Sequence, residues 1–364
     1  MKTHSLLIIP TVTLFIAAGC DTGSGESALD TTEMFTDRDL EQTADTSDAE
    51  YVELGSDEEV SITEEGVYVI TGIAEDATVI VEADDEAKVQ LVLDGVSVTN
   101  EDAPVVYVKS ADKVFITTAS SDNYMEVSGD YVADGDTNLD AVIFCKEDLV
   151  LNGTGSLEIF SARGNGVTSK DDLKITGGSL FITSALDGLE ANDSIRIADG
   201  ELTIDSDKDA LHSEYDEDDS VGFIYIAGGA LHISAADDGI HGTSAVQIDG
   251  GTIDIETSTE GIEGTYIQVN DGDISVYAKD DGVNAVAMSS AYNVVIEVNG
   301  GNLDVEVGSG DTDGFDSNGD ITINDGVIDI SADSPFDYDG GAELNGGTVT
   351  VNGEIITEIT QSRP

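Results

Sequence analysis

The residues with most chemical potential in this sequence are carboxylates set beside glycines at repeating intervals. Asn165, Asp187, Asp209, Asp238, Glu260, Asp281 and Asp313 recur at one point of a repeated template, each followed by Gly except Asp209, which precedes Ala210. An apolar position follows (Val167, Leu189, Leu211, Ile240, Ile262, Val283, Phe315), and after it a second polar one: Thr168, Glu190, His212, His241, Glu263, Asn284, Asp316. If such positions stack about 4.8 Å apart, two unit charges repel by roughly 3 kcal/mol at an effective dielectric of about 20. Raised pKa values, splayed side chains or cations between repeats must offset this. Carboxylates and turn carbonyls are hard oxygen donors that suit Ca²⁺ better than Zn²⁺. We therefore expect Ca²⁺ on Asp187, Asp209, Asp237, Asp238, Glu260, Asp280, Asp281, Asp311, Asp313 and Asp316. The plainer alternative is a row of solvated Asp-Gly turns, with Gly supplying the backbone torsions of a tight turn.

The second polar position, through Glu190, His212, His241, Glu263 and Asn284, lines up hydrogen-bonding side chains beside the acids. His212 and His241 fall in consecutive repeats, and sugar hydrogen bonding or turn packing is expected there ahead of a two-histidine metal pair. The run Glu214-Tyr215-Asp216-Glu217-Asp218-Asp219 reads as a solvated charge run, with a further metal site as the alternative.

The elements that must position these residues are short strands. Apolar rungs begin at Leu149, Leu173, Ile195, Ile224, Val246, Ile267, Ile296 and Ile321, a unit of about 21–22 residues with loop insertions, which indicates a solenoid. Each unit carries period-2 runs such as Leu173, Ile175, Leu180 and Ile182, and no helical periodicity. Three short strands and three turns per unit predict an all-β protein, a single right-handed parallel β-helix. Nonapeptide calcium repeats would recur every nine residues and do not fit. The alternation in Val67–Ile70, Val79–Val81, Val89–Val98 and Val105–Val108 extends the solenoid toward the N-terminus, so one domain is expected over 51–364, with the half-rung Leu344–Val349 at its end.

Seventy-six acidic residues against 13 basic ones, a formal net charge of -63, repel a phosphate backbone and exclude nucleic-acid binding. Forty per cent apolar residues suffice for a core. Trp is absent, which leaves Tyr and Phe as the aromatic surfaces.

The first 20 residues join a Lys, an apolar run over 5–16 and the small residues Ala17, Ala18 and Gly19 to Cys20. That is an export signal ending in a lipobox-like cysteine, so we expect Cys20 to be lipidated and the protein to be a bacterial lipoprotein at the cell surface or periplasmic face. The lipid is then its one membrane contact, and a monomer is expected. Cys145, with no partner left, is expected to be a buried small hydrophobe. Residues 21–50 hold ten acids and one base, and read as a disordered, solvated tether.

The runs Lys88–Val96, Tyr107–Val114, Ser169–Gly178 and Asp237-Asp238-Gly239-Ile240-His241 resemble a bacterial family of carbohydrate-binding domain-containing proteins over roughly 51–352. The resemblance implies a calcium-containing parallel β-helix close to pectate lyases that binds acidic and cellulosic polysaccharides, with Glu190, His212, His241, Glu263 and Asn284 expected to hydrogen-bond the sugar and Tyr215, Tyr225, Tyr277 and Tyr292 as candidate platforms for it. Glu260, Ala210 and Pro335-Phe336 depart from the Asp-Gly pattern. A lyase would need Lys208 or Lys279 as base, although flanking acids raise a lysine pKa; a calcium-stabilised stalk or adhesin is the third reading.

Overall fold

The computed structural model describes residues 28–362 apart from 216 and 311. Cys20 and the export signal lie outside these residues, as do Asp216 and Asp311. The alternating apolar runs form strands because one face of each meets an aliphatic interior. The chain lays them down in three walls. The first passes through Lys113–Thr118, Asp148–Gly153, Asp172–Ile175, Ser194–Ile197 and Phe223–Ile226 to Ala342–Leu344. The second passes through Ser156–Ser161, Ser179–Ser184, Glu201–Ser206 and Ala230–Ala235 to Thr348–Val351, and the third through Ala141–Cys145, Asn165–Ser169, Leu189–Ala191 and Leu211–Ser213 to Ser334–Tyr338.

Successive strands of a wall pair in parallel, with Leu173 opposite Ile195, Leu180 opposite Leu202 and Leu189 opposite Leu211. The architecture is an all-β, mostly parallel solenoid. Hydrogen bonds from coil to coil span 22 residues at three steps of the third wall and 29 where the loop after Ser213 is inserted. Among the described residues no helix is long and apolar enough to cross a membrane.

The interior consists of stacked aliphatic side chains. Leu149, Leu173, Ile195 and Ile224 are fully buried, as are Val167, Leu189, Leu211, Ile240, Ile262 and Phe315. Each such side chain contributes about 1.5–3 kcal/mol on burial, so the pattern that places it inside also holds the register. Cys145 is free and buried among them. At the C-terminal end Thr348–Val351 turns back antiparallel onto Glu354–Ile356 through Asn352 and Gly353, both at positive φ (51° and 82°). That closes the last strand edge with a tight hairpin turn.

Two columns of glycine have different causes. Gly178, Gly200, Gly229, Gly251, Gly272 and Gly301, between the first and second walls, are at positive φ, as turn chemistry requires. The glycines after the acids are not. They are needed because coils approach closely: a Cβ on Gly261 would lie 2.3 Å from the Gly282 carbonyl oxygen and 2.3 Å from Val276 Cγ1. The torsional explanation given above for the Asp-Gly pairs is thus corrected to a steric one.

Residues 28–50, read from sequence as part of a solvated tether, instead run along the outside of the first wall. The Leu29 N–H donates to Gln247 Oε1 at 2.9 Å, Phe35 packs on Tyr225, Arg38 lies 4.5 Å from the Phe115 ring centre, and Gln42 Oε1 accepts from the Gly153 N–H at 3.0 Å. Asp39 is completely buried between Lys113 (3.4 Å) and Lys174 (3.7 Å). Its burial would raise its pKa; the Thr36 N–H and the two lysines outweigh that and hold it below the usual range. The reason for the departure is that wall cations give an acidic, weakly apolar segment something to bury against.

Two outcomes follow for equilibrium urea unfolding. Gly261→Ala is expected to destabilise by about 1–3 kcal/mol through overpacking against the next coil, with an unchanged midpoint counting against the steric account. Asp39→Ala is expected to destabilise by about 3 kcal/mol because Lys113 and Lys174 lose a buried partner; a neutral result would mean that the segment contributes nothing to the wall.

Candidate functional site

The third wall and the turn leading into it carry the acidic columns. Its strands contribute only three to five residues here, as separate short strands or as the start of the longer Ile240–Ile248 and Ile262–Val269, so the backbone alternates one buried apolar residue with polar residues on either side. Register pairs Thr168 with Glu190, Glu190 with His212, His212 with His241, His241 with Glu263, Glu263 with Asn284, and Asn284 with Asp316. Asp337 continues the row.

The inner acidic column forms a hydrogen-bonded ladder. Asn165 Oδ1 accepts from the Asp187 N–H (2.9 Å), Asp187 Oδ1 from Asp209 (3.1 Å), Asp209 Oδ1 from Asp238 (2.9 Å), Asp238 Oδ1 from Glu260 (3.3 Å), and Asp281 Oδ1 from Asp313 (2.7 Å). The longer Glu260 leaves this pattern and accepts from Asn284 Nδ2 at 2.7 Å. Hydrogen bonds to a charged acceptor contribute about 1.5–3 kcal/mol each, comparable with the repulsion between neighbouring rungs. Backbone N–H donation was absent from the remedies the sequence offered, because it depends on which amide faces which carboxylate across coils.

The second oxygen of each acid looks outward. Asp187 Oδ2 meets Lys208 Nζ at 3.2 Å and His212 Nδ1 at 3.3 Å, and Asp238 Oδ2 meets His241 Nδ1 at 3.2 Å. Burial pushes the Asp187 pKa up, but His212 and Lys208 outweigh it and hold the carboxyl low. Where burial and neighbouring acids outweigh whatever base is in reach, the shift reverses. Burial, with Asp187 and Asp238 adding, raises Asp209 to about 6. Burial and Asp316 raise Asp281 to about 7, and burial with Asp313 raises Asp316 to about 6. Glu263, buried beside Glu260 and Asp238, is pushed up furthest, to about 10.

Asp209, Asp237 and Asp238 each present a carboxylate oxygen within 4.8 Å of the others, an all-oxygen set of the kind Ca²⁺ takes. Asp237 is exposed and open to solvent, while Asp209 and Asp238 are buried. Asp280 is exposed beside Asp281, and Asp313 accepts from the Ser334 hydroxyl. The residues expected to meet sugar are partly engaged already: Glu190 accepts from Asn165, Thr168 and Lys170, and Asn284 bridges Glu260 and Glu263. A cleft beside them is lined by Lys170, Glu190, Asn192, His212, Glu214 and Tyr215.

Of the tyrosines, Tyr225 is buried under the N-terminal segment and Tyr292 packs on Tyr266, while Tyr277 stays exposed on the second wall. Phe160 and Phe181, on adjacent strands of that wall, are exposed aromatics that sequence reasoning passed over. Their place in a regular alternation was the available signal: they occupy solvent-facing positions in strands whose other face is buried.

Fold and site together define a mostly parallel β-solenoid with an acid-rich wall, and comparison with known proteins places it in a family. The family model described as carbohydrate-binding domain-containing protein matches residues 56–312 and 252–343, and the chain belongs to this family. A carbohydrate-binding domain-containing protein of Acetivibrio thermocellus is 43% identical over 188 residues, which is 51% of this chain and 66% of that relative. The chain thus matches just under two-thirds of the relative's length. The solved structure of a polysaccharide lyase-like protein from C. thermocellum, a gadolinium derivative, is similar at a TM-score of 0.52 and 28% identity, covering 62% of this chain and 92% of that one.

The raised carboxylates make a directional statement about pH. A carboxyl whose folded pKa lies above its unfolded value contributes stability at low pH that is lost as pH rises through the folded value. His212, raised by Asp187 and Asp209 against the effect of burial, acts in the same direction. In chelator, the melting temperature is therefore expected to fall as pH rises from about 5 to about 7, the window set by Asp209, Asp316 and Asp281. Melting followed by circular dichroism checks this, and a melting temperature that rises across that window would contradict the assignment.

Proposed function

We propose that this carbohydrate-binding protein is a non-catalytic, surface-tethered module that binds Ca²⁺ through its stacked acidic turns and recognises acidic, polygalacturonate-like polysaccharide. The observation that carries the reading is the Asp209, Asp237, Asp238 set, two buried carboxylates and one open to solvent around a common centre. An ion there would neutralise the ladder and present a positive charge to a uronate, which a chain of net charge -63 would otherwise repel. Export through the Cys20 lipid, a monomeric state and right-handed winding of about 21–22 residues per coil belong to the same proposal.

The lyase alternative is weakened at its base. Burial lowers the Lys208 pKa, but Asp187 and Asp209 outweigh this and hold its ammonium protonated, the wrong state for proton abstraction. Lys279 is exposed. Cellulosic chains are assigned to the second wall, where Phe160, Phe181 and Tyr277 offer flat apolar faces.

The test is retention of the full chain on insoluble pectate and on cellulose, in calcium and in chelator. Pectate retention is expected only with calcium and to fall in Asp237→Ala. Cellulose retention is expected to persist in chelator and to weaken in the Phe160→Ala, Phe181→Ala double variant. Equal pectate retention with and without calcium would sink the ion-bridging mechanism. Loss of neither ligand in either variant would sink the assignment of faces.

A further inference from the structure

Histidine occurs four times in this chain, and two of the four stack on consecutive coils of the third wall. The His212 and His241 rings lie 4.9 Å apart between centres, tilted by 47°. Each ring turns Nδ1 to carboxylates of the acidic ladder: His212 to Asp187 (3.3 Å) and Asp209 (3.5 Å), His241 to Asp238 (3.2 Å) and Glu263 (3.3 Å). In both rings Nε2 is buried and has no hydrogen-bond partner. The nearest acidic group to His212 Nε2 is the Glu214 carboxylate, 3.3 Å away but outside hydrogen-bonding geometry. An imidazole oriented by a carboxylate on one nitrogen, with the other nitrogen left for an ion, is the arrangement that protein metal sites use to orient and strengthen histidine ligands. A buried, unpaired ring nitrogen is otherwise unfavourable.

We infer that His212 and His241, joined by the Glu214 carboxylate, form a site for a first-row divalent transition ion of the Zn²⁺ or Co²⁺ class, with ligand atoms other than those of the neighbouring all-oxygen calcium set, whose Asp209 and Asp238 orient the rings. Imidazole nitrogen selects such ions over Ca²⁺, which prefers oxygen alone. Asp187, Asp209, Asp238 and Glu263 orient the two rings. Glu214 begins the loop that lengthens this coil to a 29-residue step, and the cleft that His212 and Glu214 line opens beside it. An ion bound there would cross-link two coils and keep coordination positions open toward the cleft, where a sugar hydroxyl or carboxylate can reach it.

The experiment titrates Zn²⁺, and Co²⁺ for its visible bands, into the full chain in excess CaCl₂. One ion per chain is expected, with Co²⁺ bands of nitrogen and oxygen ligation. His212→Gln and His241→Gln should abolish binding. Glu214→Gln, and the orienting variant Asp187→Asn, should weaken it by about tenfold or more. Because a glutamine variant can fail by misfolding, His212→Cys supplies a second handle: it keeps a ligand and should retain binding with a new sulfur-to-cobalt band. Absence of binding in the wild type, or binding unchanged in both glutamine variants, overturns the inference. Binding lost in Asp237→Asn and displaced by CaCl₂ would place the ion in the oxygen set, overturning this site while leaving the calcium reading intact.

Discussion

In-register stacking of coils is the constraint on which everything else in this molecule depends. Aliphatic side chains fill the interior only if like positions lie over like, as Val167, Leu189, Leu211, Ile240 and Ile262 do. The same register obliges the polar neighbours to stack as well. A carboxylate in one coil therefore has a carboxylate above and below it, and the electrostatic problem of the acidic columns is a by-product of the packing that stabilises the core.

The structure resolves that problem by several means at once. Backbone amides of the next coil donate to Asn165 and to the acids Asp187, Asp209, Asp238 and Asp281. Lys208, His212 and His241 face the outward oxygens of Asp187, Asp209 and Asp238. Burial and like charge still prevail at Asp209, Glu263, Asp281 and Asp316, whose pKa values rise. Compensation along the ladder is thus uneven, complete at Asp187 and incomplete on both sides of the two histidines. Groups that need a cation and groups that select one are placed side by side.

The scarce bases are distributed to similar effect on the first wall. Lys174 and Arg196 lie on paired strands and Lys113 two strands away on the same wall, and the acidic N-terminal segment packs over them, with Asp39 fully buried at the contact. Placing these few cations together lets a segment of strongly negative composition lie against a wall of the same protein. The second wall is left uncovered, with Phe160 and Phe181 exposed, so the three walls are given different surfaces by one repeating core.

By itself the sequence determined the all-β class, the repeat, the identity of the stacked columns and the burial of Cys145, because period-2 apolar alternation and a fixed interval constrain which residues can face inward together. It also identified the family, through runs such as Asp237–His241. Only the tertiary structure decided the rest. Whether an acid such as Asp187 is compensated depends on an amide and a lysine 22 and 21 residues away. Whether Gly261 is needed depends on the carbonyl of Gly282 in the next coil. Whether residues 28–50 are solvated depends on cations more than 70 residues further on, since Asp39 and Lys113 are 74 apart. These are distances between coils, and composition and local pattern carry no information about which atoms two coils bring face to face.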